Sequence, residues 1–269
     1  MRQVKLLNVA IDNLSRLEFL EKCKSGIVFT PNVDHLMKLQ DDPDFYRAYN
    51  AATYKLCDSK ILFFVSKFLG SPVKEKISGS DLFPAFYEYH KDNEDIKIFL
   101  LGAREGVAST AQHKINSKIG RDIIIGTHSP SFGFEKDEQE CLKMVKMINQ
   151  SGATVLAVGV GAPKQETFIL KYKDKLPNIK IFLAIGATID FEAGNIKRAP
   201  KWVSEVGMEW LYRLMAEPKR LWKRYLVHGP GFFWLVFKQK FNFYADPFST
   251  TYSAPTGSVS CEQMIETIE

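Results

Sequence analysis

The residues best suited to chemistry lie in a glycine-containing turn between an apolar run and a helical pattern. Residues 153–160 are almost all apolar, which is typical of a strand buried on both faces. Gly159 and Gly161 allow a ligand to approach the backbone closely. The turn offers free N–H groups and a helix N-terminus to an anion, and Gln165 adds a neutral donor and acceptor. Lys164 occupies the sixth position of a dinucleotide fingerprint, where glycine is required, so an ordinary strand–helix connection fits equally well.

Further polar residues stand where other predicted strands end. Thr30 and Asn32 follow one apolar run, and Asp58 follows the next. Asp190 lies shortly after a third run, in a glycine-containing segment. Ligands of open α/β sheets bind along the edge formed by the carboxyl ends of the strands. The sequence therefore predicts a cleft at that edge.

The elements that position these residues alternate along the chain. Strands are predicted at 4–11, 26–30, 54–57, 96–101, 122–126, 153–160 and 179–185. Helices are predicted after Asn13 or Ser15, at 34–40, 43–52 and 60–69, from 80 or 81 to about 90, up to 119, at 135–150 and at 164–176. This alternation indicates an α/β fold with a largely parallel sheet flanked by helices.

Composition restricts the class of protein. The chain has 269 residues, of which 45% are apolar and 25% charged, which is a globular rather than a disordered profile. The four cysteines form no C-x-x-C pair, so neither a zinc site nor a disulfide framework is predicted. The N-terminus lacks the apolar core of a signal peptide, and no apolar run approaches the roughly 20 residues that span a bilayer. These features predict a cytoplasmic protein.

Positive charge is concentrated towards the C-terminus. Residues 197–240 hold ten lysines and arginines against three acidic residues, a net of +7 within a total of +5. Aromatic residues flanked by lysines follow at 232–244, a composition typical of a membrane interface. Helices packed on the body with a solvated basic face fit equally well. We predict an α/β body at 1–196, a basic helical appendage at 197–245 and a disordered tail at 246–269.

Three sequence blocks carry a resemblance to a known family. They are TPNVDHL at 30–36, VGVGAPKQE at 158–166, and IGATIDFEAGNIKRAPKWVSEVGMEWLYRLMAEPKR at 185–220. Together they resemble the WecG/TagA/CpsF family of glycosyltransferases over residues 1–240. The resemblance implies a Rossmann-like α/β body and a C-terminal helical appendage that helps to build the site near the membrane.

The resemblance also implies an activity. Such enzymes transfer a sugar, with inversion, from a UDP-sugar to a polyprenyl-pyrophosphate-linked acceptor at the inner face of the cell membrane. They need neither a metal nor another cofactor, and no Asp-x-Asp metal site is evident here, because Asp42-Pro43-Asp44 fits a helix cap and turn better. An anionic membrane surface is an expected partner, and a homo-oligomer is left open.

The family pattern assigns roles to particular residues. Asp58 would be the general base, since an ionised carboxylate can accept the proton of the acceptor hydroxyl. Its alternative is an aspartate stabilised by a helix dipole. Thr30 and Asn32 would hydrogen-bond a substrate or cap a helix. Gln165, following Gly161 in the same turn, would orient the donor or acceptor, or remain a solvated glutamine.

Cationic residues would bind phosphate. Lys76 stands where the family has arginine. Lysine retains the positive charge but lacks the bidentate geometry of arginine. The expected pyrophosphate ligands are four arginines of the appendage: Arg198, Arg213, Arg220 and Arg224. The last two could equally well bind anionic lipid. Asp190 would bind substrate or organise its turn.

The same residues could serve other functions. A nucleotide-sugar epimerase or oxidoreductase would use the same sheet edge. The chain lacks the glycine fingerprint of such enzymes, however, and they have no need of a basic appendage. A non-catalytic membrane adaptor would use only the cationic helices. The case for nucleic-acid binding is weaker, because the basic residues accompany tryptophan-rich apolar faces.

Overall fold

The computed structural model describes residues 2–196, residue 215 and residues 228–249. The strands in this part of the chain are β1 (Gln3–Leu6), β2 (Val9–Asp12), β3 (Gly26–Phe29), β4 (Tyr54–Lys55), β5 (Ile98–Gly102), β6 (Ile124–His128), β7 (Val155–Gly159) and β8 (Ile181–Ala184). Six of them form a parallel sheet in the order β4-β3-β8-β7-β5-β6. The predicted α/β fold with a parallel sheet is therefore confirmed.

The helices flank this sheet. They are α1 (Arg16–Lys22), α2 (Val33–Lys38), α3 (Pro43–Ala51), α4 (Lys60–Phe68), α5 (Gly79–Tyr89), α6 (Val107–Ile119), α7 (Glu138–Ser151), α8 (Lys164–Tyr172), α9 (Thr188–Ala193) and α10 (His228–Lys240). Ser15, Asp42 and Ser59 cap α1, α3 and α4 through their side-chain oxygens. Ser15 is one of the two predicted starts of α1, and Asp42 is the predicted cap of α3.

Two apolar layers, one on each face of the sheet, hold the helices. In β7, Leu156 and Val158 join the layer that contains α2, α3, α4, α7, α8 and α10. Val155 and Ala157 join the opposite layer, which contains α1, α5, α6 and α9. Successive residues of a strand point to opposite faces, so a strand covered on both sides is apolar at every position.

The first predicted strand is wrong in one respect. Residues 4–11 form two antiparallel strands, with Leu6 opposite Val9 and a two-residue loop between them. Leu7 adopts a φ of +53° in that loop, a conformation that glycine or asparagine usually supplies. Leu7 is also completely buried, which explains why an apolar residue occupies the turn and conceals it in the sequence.

Residues 228–249, at the C-terminal end of the described chain, pack on the α/β body. Phe232 and Val236 of α10 are buried in the layer that contains α2. Further along, the Tyr46 hydroxyl donates to Asp246 at 3.1 Å, and its ring lies 4.9 Å from that of Phe248. None of the helices in the described ranges combines the length and the apolar composition that a bilayer span requires. The predicted domain boundaries at 196 and 245 stay predictions.

Candidate active site at the carboxyl edge of the sheet

At the centre of the sheet, helices leave neighbouring strands towards opposite faces. β7 leads into α8 on one face, whereas its neighbour β8 leads into α9 on the other. β3, on the other side of β8, leads into α2 on the same face as α8. Loops that separate to opposite faces leave a crevice at the carboxyl ends of the strands, where ligands of α/β proteins bind. The predicted polar residues lie around this crevice.

Glycines allow the strand ends to approach closely beside the crevice. A Cβ atom on Gly102 would lie 2.5 Å from the carbonyl oxygen of Gly159, and one on Gly159 would lie 2.7 Å from that of Gly186. Both distances are too short for a side chain. The backbone itself therefore forms this part of the edge, at the ends of β5, β7 and β8.

Asp58 stands between two other segments of the chain. Its backbone N–H donates to the carbonyl of Pro31 at 3.0 Å, and the N–H of Ile77 donates to the carbonyl of Cys57 at 2.6 Å. The segments that carry Thr30, Asp58 and Lys76 are thus fixed to one another. Asp58 is half-buried and immediately precedes Ser59, the N-cap of α4. Asp58 is therefore adjacent in the chain to a helix N-terminus, whose dipole favours negative charge.

Thr30 and Asn32 follow β3 directly. Thr30 is buried, and the Asn32 side-chain oxygen accepts the backbone N–H groups of Asp34 at 3.0 Å and His35 at 3.2 Å. Asn32 is therefore the N-cap of α2, as one of the two interpretations of the sequence predicts. Its side-chain NH₂ group takes no part in this cap. The role of both residues in substrate binding stays a prediction.

Lys76 is paired within its own segment. Its Nζ lies 3.1 Å from the carboxylate of Asp81. The hydroxyl of Ser78, the N-cap of α5, donates to the same Asp81 oxygen at 2.6 Å. α5 begins at Gly79, slightly earlier than predicted, because Ser78 rather than Ser80 or Asp81 caps it. A phosphate at Lys76 would share the ammonium group with Asp81.

Gln165 joins two loops of the crevice. Its backbone N–H donates to the carbonyl of Gly161 at 3.1 Å, which begins the turn into α8. Its side-chain oxygen accepts the N–H of Gly186, in the loop after β8, at 3.1 Å. Gln165 is buried, so the interpretation as a solvated first-turn glutamine is wrong. Asp190 lies on α9, where its carbonyl accepts the N–H of Asn195 at 3.0 Å, a contact that organises the helix end.

One buried acidic residue below the crevice, Glu166, is not among the residues predicted to be functional. Glu166 is completely buried, and burial raises the pKa of its carboxyl to about 7. Tyr49 is buried nearby: desolvation raises the pKa of its phenol, and the negative charges of Glu166 and Asp58 raise it further. Tyr49 therefore lies close to carboxylates from both sides of the crevice. Its hydroxyl is 2.6 Å from Nδ1 of His35.

The spacing of α8 could have revealed this burial. Phe168, Ile169 and Tyr172 form the apolar face that the sequence predicts for the helix. Gln165 and Glu166 precede Phe168 and Ile169 by three residues, which places them on the same face. The presence of these two polar residues on the apolar face of α8 is the sequence signal that indicates their burial.

Neither cysteine chemistry nor a metal cluster is evident in the described residues. Burial raises the pKa of the Cys57 thiol to about 12, so this neighbour of Asp58 is not a nucleophile at neutral pH. Among residues 2–196 and 228–249, no three His, Cys, Asp or Glu side chains are placed to hold a metal ion. Metal independence stays a prediction.

The four predicted phosphate ligands of the appendage, Arg198, Arg213, Arg220 and Arg224, lie outside the described residues. Their roles stay predictions. The described side of the crevice is formed by the ends of β3, β4, β7 and β8.

Comparison with known proteins adds two findings. The model of the family described as "Glycosyl transferase WecG/TagA/CpsF family" matches residues 4–246, nearly the whole chain. A protein of Bacillus spizizenii, named N-acetylglucosaminyldiphosphoundecaprenol N-acetyl-beta-D-mannosaminyltransferase, is 29% identical over 215 residues. The aligned region covers 79% of this chain and 80% of that protein. The three sequence blocks lie within the family match.

Proposed function

Because the chain belongs to the WecG/TagA/CpsF family of glycosyl transferases, we propose that it transfers a sugar from a UDP-sugar to a polyprenyl-pyrophosphate-linked acceptor. The name of the Bacillus spizizenii relative supports the acceptor class, since that protein acts on N-acetylglucosaminyldiphosphoundecaprenol. The product would serve cell-envelope or exopolysaccharide synthesis. An N-acetylhexosamine is the first donor sugar to test.

The proposed chemistry is a single displacement with inversion. Asp58 accepts the proton of an acceptor hydroxyl, which attacks the anomeric carbon from the side opposite UDP. Thr30, Asn32 and Gln165 orient the two substrates. Positive groups stabilise the charge that develops on the departing UDP, and no metal is required. The cations assigned to this task are Lys76, Arg198, Arg213, Arg220 and Arg224, with Asp190 and Gly161 on the rim of the site.

One observation carries this proposal. The backbone hydrogen bond from Asp58 to Pro31 joins the candidate base to the loop that holds Thr30 and Asn32. Gln165 reaches the same crevice from β7, since β8 separates β3 from β7 and Gln165 bonds the loop that follows β8. Residues from distant parts of the sequence thus meet where a sugar nucleotide would bind.

The family membership decides between the rival functions. A glycosyltransferase family makes the chain an enzyme of group transfer, so a nucleotide-sugar epimerase or oxidoreductase and a non-catalytic adaptor are set aside. The cationic appendage then serves the transferase by binding phosphate, lipid or both.

We also propose that the enzyme docks peripherally on the inner face of the cell membrane. α10 exposes Phe233, Trp234 and Phe237, and α4 exposes Phe64 and Phe68. The ammonium group of Lys240 donates to the carbonyl of Phe68 at 2.9 Å, which joins the two helices into one surface. Aromatic side chains bordered by lysines suit an anionic lipid interface.

This surface would lie at a fixed distance from the catalytic base. Asp58 immediately precedes α4, and Phe64 and Phe68 lie six and ten residues further on. At 1.5 Å per residue, the base stands roughly 9–15 Å along the helix from the docking residues. A sugar carried on a lipid pyrophosphate stands away from the bilayer surface, so the acceptor must bridge this distance to reach Asp58. An interface in a homo-oligomer is the competing use of the same surface.

The deciding experiment is a transfer assay read by mass spectrometry. The protein is incubated with UDP-N-acetylmannosamine, UDP-N-acetylglucosamine or UDP-glucose and a short polyprenyl-pyrophosphate N-acetylglucosamine acceptor, with and without EDTA. We expect one disaccharide product that requires the lipid acceptor and forms equally well in EDTA. Sugar isomerised without acceptor would contradict transfer, and loss of product in EDTA would contradict metal independence.

A further inference from the structure

Glu166 is a completely buried acidic side chain that the proposed chemistry does not use. Burying a carboxyl group is costly unless hydrogen bonds compensate it, so such a group beneath a candidate site is expected to have a role. It neighbours Gln165 in the first turn of α8. That turn joins the strand β7 to the crevice.

The hydrogen bonds of Gln165 permit only one orientation of its side-chain amide. Its Nε2 donates to Oε1 of Glu166 at 2.9 Å, while its oxygen accepts the N–H of Gly186 at 3.1 Å. A carboxylate can only accept and a backbone N–H can only donate. While Glu166 is ionised, exchanging the two ends of the amide would therefore break both hydrogen bonds. Glu166 thus selects the orientation in which Gln165 binds Gly186.

We propose that Glu166 is a positioning residue of the transferase: its carboxylate orients the Gln165 amide and thereby holds Gly186 and the loop after β8 in place. The inference rests on the proposed function, in which Gln165 orients a substrate. Glu166 acts through Gln165, because its own side chain is buried below the crevice. The loop that it holds leads directly into α9, which carries Asp190.

The second oxygen of the carboxylate makes this role sensitive to pH. In the part of the chain that the structure describes, Glu166 Oε2 is buried and has no hydrogen-bond partner. Burial raises the pKa of the carboxyl to about 7, although the hydrogen bond from Gln165 and the charge of Lys38 partly oppose this shift. Protonation replaces a charge-assisted hydrogen bond by a weaker neutral one. The hold on Gln165 should therefore weaken as the pH falls through about 7.

Other charged and titratable groups surround Glu166, and the experiment must separate their effects. Lys38 of α2 forms an ion pair with Asp34 of the same helix. From α3 and the end of β4, the groups that share this environment are Tyr49, with its partner His35, and Asp58. A pH effect that belongs to Glu166 must disappear when Glu166 alone is replaced.

The test compares four full-length proteins: wild type, Glu166→Gln, Gln165→Ala and Glu138→Gln. Glu138 is a matched control, because its exposed carboxylate also contacts α8, through Lys171 and the hydroxyl of Tyr172. The kcat/KM for transfer to the short-chain acceptor is measured from pH 5.5 to 8.5, with the UDP-sugar that the wild-type protein uses in the transfer assay. Thermal midpoints are measured in the same buffers.

Glu166→Gln should behave as a permanently protonated Glu166. We expect its kcat/KM to be about tenfold below wild type at pH 8, the difference between a charge-assisted and a neutral hydrogen bond. The two proteins should converge below pH 6, where wild type has lost the charge. The thermal midpoint of Glu166→Gln at pH 8 should not fall, since a buried charge has been removed, and Glu138→Gln should match wild-type activity.

Other outcomes overturn separate statements. If Gln165→Ala is impaired while Glu166→Gln equals wild type at pH 8, the role of Glu166 fails and that of Gln165 stands. If both variants equal wild type, the proposed role of Gln165 fails as well. If Glu166→Gln loses activity and thermal stability together with an unchanged pH profile, Glu166 serves only the fold, which also contradicts the inference.

Discussion

The backbone N–H of Asp58 donates to the carbonyl of Pro31 at 3.0 Å, which fixes the candidate base to the loop after β3. The N–H of Ile77 bonds Cys57 in the same way from the other side. Hydrogen bonds between backbones do not depend on side-chain identity, so this arrangement would survive replacement of the carboxylate. A variant of Asp58 can therefore test chemistry without disturbing the position of the segment.

Replacing Asp58 by asparagine should abolish general-base catalysis. We expect turnover to fall by about 10²–10⁴-fold, the usual contribution of a positioned base, with UDP affinity nearly unchanged. Transfer kinetics and a calorimetric titration with UDP measure the two quantities separately. Wild-type turnover in Asp58→Asn would exclude Asp58 as the base, and loss of UDP binding would assign it to donor binding instead.

Variants of Asn32 can separate its cap from its predicted contact with substrate. Asn32→Ala removes the side-chain oxygen that accepts from Asp34 and His35, which should cost about 1 kcal/mol of stability. Asn32→Ser restores a capping oxygen but lacks the NH₂ donor. If Asn32 binds substrate, both variants lose kcat/KM while only Asn32→Ala loses stability in urea denaturation. Full activity in Asn32→Ser would limit the residue to capping α2.

The sequence predicts the strands and helices that carry the site better than the contacts between the site residues. The alternation of apolar runs and helical patterns is sufficient to place Thr30, Asp58 and Gln165 at strand ends, because buried parallel strands are apolar at every position. It does not indicate the order of the strands. The crevice depends on β8 lying between β7 and β3, and the pairing of Gly26 with Ile181 joins residues far apart in the chain.

Other features escaped the sequence for local reasons. The hairpin loop at Leu7 uses a leucine where a glycine would have signalled a turn. The short helix α9 begins without a side-chain cap, so no N-cap residue in the sequence predicts its start. Glu166 does not stand out in the sequence, because a charged residue is normally expected on the solvated face of a helix. Only its spacing from Ile169 indicates that it points inward.

The stability of the protein should depend on pH through Glu166. Its folded-state pKa of about 7 lies above the ordinary value of 4.5, so the folded protein holds its proton more tightly than the unfolded chain. This contribution is fully present below pH 4.5 and is lost as the pH rises through about 7, at a cost of about 3 kcal/mol. The free energy of unfolding of Glu166→Gln relative to wild type should therefore increase between pH 4.5 and 8. A difference that stays constant with pH, in urea titrations of both proteins, would show that Glu166 does not bind this proton.

Vesicle binding can test whether the surface formed by α4 and α10 contacts lipid. The double variant Phe68→Ser and Trp234→Ser removes one aromatic residue from each helix, and both are about half exposed, at 52% and 58%. Burying such partly exposed side chains is worth about 1 kcal/mol each, so affinity for vesicles of phosphatidylcholine and phosphatidylglycerol should fall about 30-fold. Leu17→Ser is the matched control, because Leu17 is 58% exposed on α1, in the opposite layer of the fold. Added salt should weaken wild-type binding by screening the lysines. Unchanged vesicle binding together with a smaller sedimentation coefficient in the double variant would assign the surface to self-association instead.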